Sequence, residues 1–261
     1  MVLRRRSFAF AAVAILLAVG VVQIVHTIRV RAYGGVAPVC RVRTNSLSVA
    51  LSVDDGPDPR YTPQVLDILE ANHSKATFFM IGERADARPS LVRAVVASGS
   101  EIGNHTWSHP HLIAVPETTA MREISRTTQE LSTFGVVRFL RMPYGEARAE
   151  TFAEVRQGGL IPIHWSLPLD HYVVGLGLPP ADAVREIAEE VSAGDIILAH
   201  DADDGGISRA AAIETLWLLL PRLRADGYRV VSVGELLKNG QPVQASPRPW
   251  FWQSGFTCPS G

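Results

Sequence analysis

Residues Leu47–Gly56, LSVALSVDDG, contain the pattern on which the predicted fold depends. From Leu47 to Val53, large apolar residues alternate with small or polar ones, which is the period of a β-strand with one face in a core. Two adjacent aspartates and a glycine follow directly, and such a sequence is typical of a turn. We therefore predict a strand that ends in a loop carrying Asp54 and Asp55.

Strand-like and helix-like segments alternate through the rest of the chain. Thr62 and Pro63 are typical of the first residues of a helix. Further strands are predicted at 76–81, 101–103, 136–141, 160–165, 195–199 and 229–233, with helical patterns between most of them. About seven strand–helix units at this spacing indicate a parallel sheet. We predict an α/β fold, a distorted or incomplete (β/α) barrel of about seven parallel strands in a single domain.

The ends of the chain differ in composition from the predicted barrel, which spans residues 47–239. Residues 31–46 are predicted to be a linker, and residues 240–261 a Pro-rich tail. Near the start, Arg4, Arg5 and Arg6 precede an uncharged apolar run from Phe8 to Val25. A membrane span needs roughly 17–25 residues, whereas the apolar region of a signal peptide has about 7–15. Residues 1–30 are therefore predicted to be a signal anchor, with a cleaved signal peptide as the alternative.

The N-terminal segment predicts where the domain lies, and the net charge predicts which partners it does not bind. The arginines are expected to stay in the cytoplasm, so the domain would be periplasmic or extracellular, and secreted if the segment is cleaved. A formal net charge of −1 gives no basic surface for nucleic acid, and we expect none to bind. We expect a monomer. In an oxidising compartment Cys40 and Cys258 could form a disulfide, and two unrelated thiols are the alternative.

Polar clusters follow the predicted strands. They are Asp54 and Asp55 after the first strand, His105 and His109 after the third, residues 141–145 (RMPYG) after the fourth, Trp165 at the end of the fifth and His200 after the sixth. In a parallel α/β barrel the carboxyl ends of all strands open onto one face. These clusters, which are distant in sequence, are therefore predicted to meet in one pocket.

Asp55, His105 and His109 are candidate metal ligands. Pro110 biases His109 away from helical geometry, so this segment is predicted to be a loop. Taken singly, the aspartates could form an ordinary turn and the histidines a solvated helix face, but their shared position at strand ends favours a metal site. Imidazole and carboxylate ligands suit Zn²⁺, and three of them leave a position for water. Co²⁺, Ni²⁺ and Mn²⁺ are the alternatives.

Hydrolysis by an activated water needs a base, and the leaving group needs an acid. Neighbouring residues of an extended segment point to opposite sides, so a turn must let one of Asp54 and Asp55 bind the ion while the other accepts a proton. His200 is the candidate acid, and a packed, hydrogen-bonded histidine is its alternative role. By the same alternation we expect His164 to point away from Trp165.

These residues, in this order, resemble the polysaccharide deacetylase family, the NodB-type carbohydrate esterases, over roughly residues 47–237. Residues 52–56 (SVDDG) are similar to the first family motif, 104–109 (NHTWSH) to the second, 141–145 to the third and 198–200 (LAH) to the fifth. The resemblance implies the following roles: Asp54 as base, Asp55, His105 and His109 as ligands, Arg141 as the residue that orients the base, His200 as acid, the Tyr144 N–H as an oxyanion donor, and Pro143, Trp165 and Leu198 as parts of the substrate pocket.

The fourth motif departs from the family pattern. The family has an aspartate six residues after the tryptophan that corresponds to Trp165, and this aspartate supports the catalytic histidine. Here His171 stands at that position and Asp170 one residue earlier. Either Asp170 serves after a local shift, or His200 is tuned differently.

The resemblance implies a metal-dependent hydrolase that removes N-acetyl groups from a polysaccharide, such as peptidoglycan or a chitin-like glycan, and releases acetate. One alternative is an esterase or amidase of the same fold that acts on O-acetylated xylan or a small amide. Another alternative is a catalytically silent glycan-binding homologue, which the departure in the fourth motif would favour.

Overall fold

The computed structural model describes residues 17–25, 27–28, 31–203, 205–247 and 256–259. The arginine triplet and about half of the apolar run therefore lie outside the described residues. Within the described part of the chain, no helix has both the length and the apolar character needed to cross a bilayer. The signal anchor, with its signal-peptide alternative, stays a prediction.

Strands and helices alternate as the sequence predicts. The strands of the described residues are β1 (Val39–Arg43), β2 (Ser48–Asp54), β3 (Ala76–Met80), β4 (Glu101–Asn104), β5 (Phe139–Leu140), β6 (Ile161–Pro162), β7 (Leu167–Pro168), β8 (Ile196–His200), β9 (Arg229–Val231), β10 (Gln241–Gln244), β11 (Ser246–Pro247) and β12 (Phe256–Thr257). The helices are α1 (Thr62–Ala71), α2 (Gly82–Ala87), α3 (Pro89–Ala97), α4 (Glu117–Leu131), α5 (Ala149–Gln157), α6 (Pro180–Glu190), α7 (Ala210–Ala225) and α8 (Val233–Lys238).

The main sheet is parallel and forms an incomplete barrel. Its 8 strands run in the order β6-β5-β4-β3-β2-β8-β7, and β9 pairs with the first residues of β2. Among the described residues, β6 and β7 do not pair with each other, so the barrel stays open between them. The predicted α/β class and incomplete parallel barrel are confirmed.

β2 is buried along its whole length, and its alternation separates two environments. Val49, Leu51 and Val53 belong to the apolar cluster that contains residues of α1 and α7. On the opposite face, the Ser52 hydroxyl donates a hydrogen bond to the Ile197 carbonyl oxygen of β8. The strand therefore packs its larger residues under helices and directs its small polar ones into the barrel.

The predicted strand at residues 160–165 is shorter in the structure, and one strand of the main sheet was not predicted. β6 ends at Pro162, and β7 is a separate strand of 2 residues that pairs with β8. A strand of two residues has no alternation to detect, and proline is uncommon inside strands.

The predicted linker and the predicted tail both contain strands. Residues 31–46 contain β1, and the side chains of Cys40 and Val42 in it are fully buried. β1 pairs antiparallel with β10, which lies in the predicted tail. Cys40 and Cys258 form the predicted disulfide. β1 also contacts the barrel through isolated bridges of Val39 with Ile163 and of Arg41 with Asp195. Both ends were assigned outside the domain because strands this short leave little alternation to detect.

Candidate active site

The carboxyl ends of the strands surround a cavity of about 930 Å³. Predicted site residues that line it are Asp54, Asp55, His105, His109, Tyr144, Trp165, Leu198 and His200. The register of β2 and β8 pairs Asp54 directly with His200. The polar clusters at the strand ends therefore meet in one cavity, as predicted from the sequence.

Three further predicted residues do not line this cavity. Arg141 and Asp170 lie behind other site residues and contact them. Pro143 is buried, and it begins a single 3₁₀ turn in which Tyr144 has a φ of 58°. The predicted place of Pro143 in the substrate pocket stays a prediction; in the structure its ring fixes the φ of the first residue of this turn.

The turn after β2 brings both aspartates to the cavity. Asp55 has a φ of 76°, in the left-handed region that non-glycine residues adopt at a cost of about 1–3 kcal/mol. This backbone angle breaks the strand alternation that would otherwise send Asp54 and Asp55 to opposite sides. His109 shows the same feature with a φ of 57°. Two of the three candidate ligands therefore sit on strained backbone.

The donor atoms of Asp55, His105 and His109 fit a divalent metal ion. The three ligand atoms lie within 4.8 Å of one another. The Nε2 atoms of both histidines are 3.4 Å from Asp55 Oδ1, close to the separation of about 3.3 Å that tetrahedral Zn²⁺ imposes on ligands about 2.0 Å away. The Nδ1–H of His105 donates to the Arg141 carbonyl oxygen at 2.8 Å, which directs Nε2 toward the site.

The charge of Asp55 suits a ligand role. Burial alone would raise the pKa of its carboxyl, but the hydrogen bond and charge of His105, with smaller effects of His200 and His109, hold that pKa well below its usual range. Asp55 is therefore an anion in the cavity at neutral pH, as a metal ligand must be.

Arg141 holds the other aspartate. Its guanidinium is fully buried and donates to Asp54 Oδ1 at 2.7 Å. The same group donates to the Ser52 hydroxyl at 2.8 Å and to the His164 carbonyl oxygen at 2.9 Å. Because these contacts fix the guanidinium from several directions, they also fix the carboxylate of Asp54.

Asp170 contacts His200, whereas His171 does not. The Nδ1–H of His200 donates to Asp170 Oδ2 at 2.8 Å, and the side chain of His171 is exposed in the following π-helical turn. Burial alone would lower the pKa of His200, but the hydrogen bond and charge of Asp170 and the charge of Asp55 raise it above its ordinary value.

Arg209 is a site residue that was not predicted from the sequence. This buried side chain donates to Asp170 Oδ1 at 3.0 Å and lies 3.8 Å from Asp55 Oδ2. It thereby connects the support of His200 with the metal-ligand cluster. No sequence signal indicated it, because it precedes α7 rather than following a strand directly.

The aromatic side of the cavity differs from the prediction for His164. Its ring stacks on Trp165 with centroids 3.9 Å apart instead of pointing away from it. Strand alternation does not apply there, because β6 ends at Pro162. His111 is outside the ligand cluster and stacks on the Tyr144 ring with centroids 3.6 Å apart.

The chain is similar in sequence to a known family of proteins. Residues 41–163 match the family model described as polysaccharide deacetylase. The chain is 35% identical over 201 residues to a peptidoglycan-N-acetylglucosamine deacetylase of Bacillus cereus, an alignment covering 76% of this chain and 91% of that protein. The chain belongs to the polysaccharide deacetylase family. The predicted family and enzyme class are confirmed.

Two other comparisons agree with this assignment. This chain is 35% identical over 207 residues to a chitooligosaccharide deacetylase of Sinorhizobium fredii, an alignment that covers 75% of this chain and 94% of that relative. A crystal structure of a peptidoglycan N-acetylglucosamine deacetylase superposes with a TM-score of 0.72 at 29% identity, covering 78% of this chain and 94% of that one.

Proposed function

We propose that this deacetylase is a metal-dependent enzyme that removes N-acetyl groups from a polysaccharide, such as peptidoglycan or a chitin-like glycan, and releases acetate. One observation carries the proposal: the Arg141–Asp54 pair and the Asp170–His200 pair adjoin the cluster of metal-ligand candidates in one cavity. The names of the relatives support N-acetylated glycans as substrates.

Asp55, His105 and His109 would hold the ion, for which we propose Zn²⁺ because two imidazoles and one carboxylate suit it. Co²⁺, Ni²⁺ and Mn²⁺ are the alternatives. When bound, such an ion supplies Lewis-acid polarisation of the amide carbonyl and makes water more acidic.

Asp54 is the proposed base. Arg141 binds its Oδ1, and its Oδ2 lies 3.8 Å from His105 Nε2, beside the ligand cluster. An oxygen in this position can accept the proton of a water that attacks the amide carbonyl. Because Arg141 fixes the carboxylate, little reorganisation is needed when the proton moves.

His200 is the proposed acid. Its Nδ1–H is directed to Asp170, so Nε2 is the ring atom that delivers a proton to the departing amine. Burial would lower the pKa of His200, but its contact with Asp170 raises that pKa. The raised pKa favours the protonated ring that this step requires. The contact also counts against the silent-homologue alternative, because Asp170 supports His200 despite the departure in the fourth motif.

The remaining cavity residues are proposed to position the substrate. The exposed turn at Tyr144 offers a backbone N–H for the oxyanion that forms at the attacked carbonyl. Leu198 and Trp165 line the same cavity and supply apolar surface for an acetyl methyl group and a sugar face.

We further propose that residues 1–30 anchor the enzyme in a membrane, with a monomeric catalytic domain on the outer side. The Cys40–Cys258 disulfide supports an oxidising compartment. Cell fractionation tests this location: the full-length chain should remain with membranes after a high-salt wash, and protease added outside the cytoplasm should digest the domain. Recovery of the full-length chain in the cytosol would contradict it.

The activity is tested by measuring acetate release from peptidoglycan, N-acetylglucosamine oligomers and acetylated xylan. The protein should be stripped with a chelator and reloaded separately with Zn²⁺, Co²⁺, Ni²⁺ or Mn²⁺. We expect acetate from an N-acetylated glycan only after reloading. Acetate from xylan alone would favour the esterase alternative, and release by the stripped protein would contradict metal dependence.

A further inference from the structure

The last described segment of the chain, residues 256–259, contributes to the active-site cavity. Phe256, Thr257 and Cys258 line it together with Asp54 and His200. Phe256 and Thr257 form β12, which pairs antiparallel with β11. The segment lies outside the residues 41–163 that match the family model.

Aromatic packing fixes Phe256 in place. Its buried ring meets Tyr33 with centroids 5.1 Å apart and Phe152 with centroids 5.4 Å apart, both edge to face. It also meets His164, the ring that stacks on Trp165. The segment therefore packs directly against the aromatic side of the cavity.

A covalent bond gives the segment a second attachment. Cys258 is bonded to the fully buried Cys40 of β1. The residue before Cys40, Val39, accepts a hydrogen bond from the His164 backbone N–H at 2.6 Å. Both attachments thus connect the segment to the same wall of the cavity, near His164 and Trp165.

The composition of this wall suits a sugar ring. Trp165, stacked on the buried His164 ring, offers aromatic surface. The exposed Thr257 carries a hydroxyl that donates to the Ser246 carbonyl oxygen at 3.4 Å and can accept a further hydrogen bond. A cavity of about 930 Å³ lies near the upper end of the range of about 300–1,000 Å³ for ligand pockets. Such a volume exceeds what a single acetamido group occupies.

We propose that Phe256–Cys258, held by the Cys40–Cys258 bond, is a substrate-binding wall for a sugar next to the one being deacetylated. This wall gives the enzyme its preference for longer glycan chains. The proposal rests on the proposed function, since it assumes that an N-acetylated glycan enters the cavity.

The disulfide provides a reversible test on the metal-loaded, full-length protein. Acetate release would be measured with N-acetylglucosamine oligomers of two and six units, before and after reduction with a phosphine. We expect reduction to lower the ratio of kcat/KM for the six-unit over the two-unit substrate by about five- to tenfold, mainly through KM, as loss of a neutral hydrogen bond would do.

The Cys40→Ser/Cys258→Ser double variant is the matched control. It should show the lowered ratio without reductant and no further change with it, which separates the disulfide from other effects of the reductant. Full wild-type activity with an unchanged ratio after reduction would overturn the wall and leave the proposed function intact. If the wild type released no acetate from any glycan, yet cleaved 4-nitrophenyl acetate, both the proposed function and the wall would fail.

A second variant keeps the disulfide. Thr257→Arg places a bulky group at an exposed position of the wall, and Thr133→Arg places the same group at an exposed position just after α4, away from the cavity. We expect only the change at Thr257 to raise KM for the six-unit substrate, with thermal unfolding confirming that both variants are folded. Equal KM values in the two variants would contradict the proposal.

Discussion

Asp170 accepts a 2.8 Å hydrogen bond from the Nδ1–H of His200, although the family motif has its aspartate one residue later, where this chain has His171. Arg209 donates to the other carboxylate oxygen of Asp170 at 3.0 Å. The carboxylate is therefore held from two sides. The local shift, which the sequence left as one of two alternatives, is the arrangement that the structure contains.

The Asp170→Asn variant should change the pH dependence of activity. Burial lowers the pKa of His200 and Asp170 raises it, with a net increase, so removing the charge of Asp170 lowers that pKa. Because an acid works only while it is protonated, activity is present below this pKa and lost above it. We expect the alkaline limb of the kcat profile to move to lower pH, with kcat at neutral pH falling roughly 10²–10⁴-fold.

His171→Asn is the matched control for this experiment, because His171 is exposed and makes no contact with His200 among the described residues. It should leave the alkaline limb where it is in the wild type. A limb that moved in this control, or stayed fixed in Asp170→Asn, would show that the supporting role is assigned to the wrong residue.

Substitutions at Asp54 and Asp55 should affect metal binding and proton transfer separately. Asp55→Ala or His105→Ala removes a candidate ligand, so we expect metal and activity to be lost together. Asp54→Asn leaves that cluster whole, so the metal content should stay near that of the wild type while the rate falls by about 10²-fold or more. Elemental analysis combined with acetate release measures both effects.

His111→Ala is the control for the ligand assignment. His111 is close in sequence to His109 but stacks on Tyr144 outside the ligand cluster, so this variant should retain its metal. Full activity in Asp54→Asn would disprove the role of base for Asp54. Loss of metal in His111→Ala would require a different ligand set.

The sequence predicted those parts of the site that depend on strand periodicity. Strand ends after β2, β4 and β8 bring together Asp54, His105 and His200, and the alternation of apolar residues marks those ends. Parallel pairing then requires the ends to meet at one edge. For this reason the cavity, the α/β class and the incomplete barrel could be predicted without coordinates.

The parts that depend on loop conformation could not be predicted in the same way. The left-handed backbone of Asp55, with a φ of 76°, leaves no periodic signal, and the contact of Arg209 with Asp170 spans 39 residues. The wall formed by Phe256 depends on packing against Tyr33, which lies near the other end of the chain. Tertiary contacts, rather than local preference, determine each of these features.

Arg141 should contribute to stability as well as to positioning. Its guanidinium is fully buried, and Asp54 is buried beside it. Arg141→Met leaves that carboxylate without its cation, and such a change typically costs about 3–5 kcal/mol of unfolding free energy. We expect the urea midpoint to fall accordingly, while Arg141→Met combined with Asp54→Asn recovers part of the loss because the unpaired charge is gone. Additive effects of the two changes would contradict a direct coupling.

Asp201 is a buried carboxyl to which the proposed mechanism assigns no role. Its Oδ2 accepts a hydrogen bond from the Thr62 hydroxyl at 2.5 Å, and its Oδ1 has no partner among the described residues. Burial, opposed by the Thr62 hydrogen bond and reinforced by the negative charges of Asp55 and Asp54, raises the pKa of Asp201 to about 7. The folded protein therefore holds a proton here that the unfolded chain releases at lower pH.

The raised pKa of Asp201 predicts how the stability of the metal-free protein depends on pH. Between the ordinary aspartate pKa of 3.8, which applies to the unfolded chain, and the folded pKa of about 7, the native state binds more protons at Asp201 than the unfolded state does. The contribution of Asp201 to the free energy of unfolding therefore decreases as pH rises through this window, by at most about 1.4 kcal/mol per pH unit. Asp201→Asn cannot ionise, so its stability should decrease less steeply with pH.

Urea unfolding of chelator-treated protein at a series of pH values measures this slope, and Asp226→Asn, a change at an exposed aspartate, should keep the slope of the wild type. An unchanged slope in Asp201→Asn would show that Asp201 is not the group that takes up the proton.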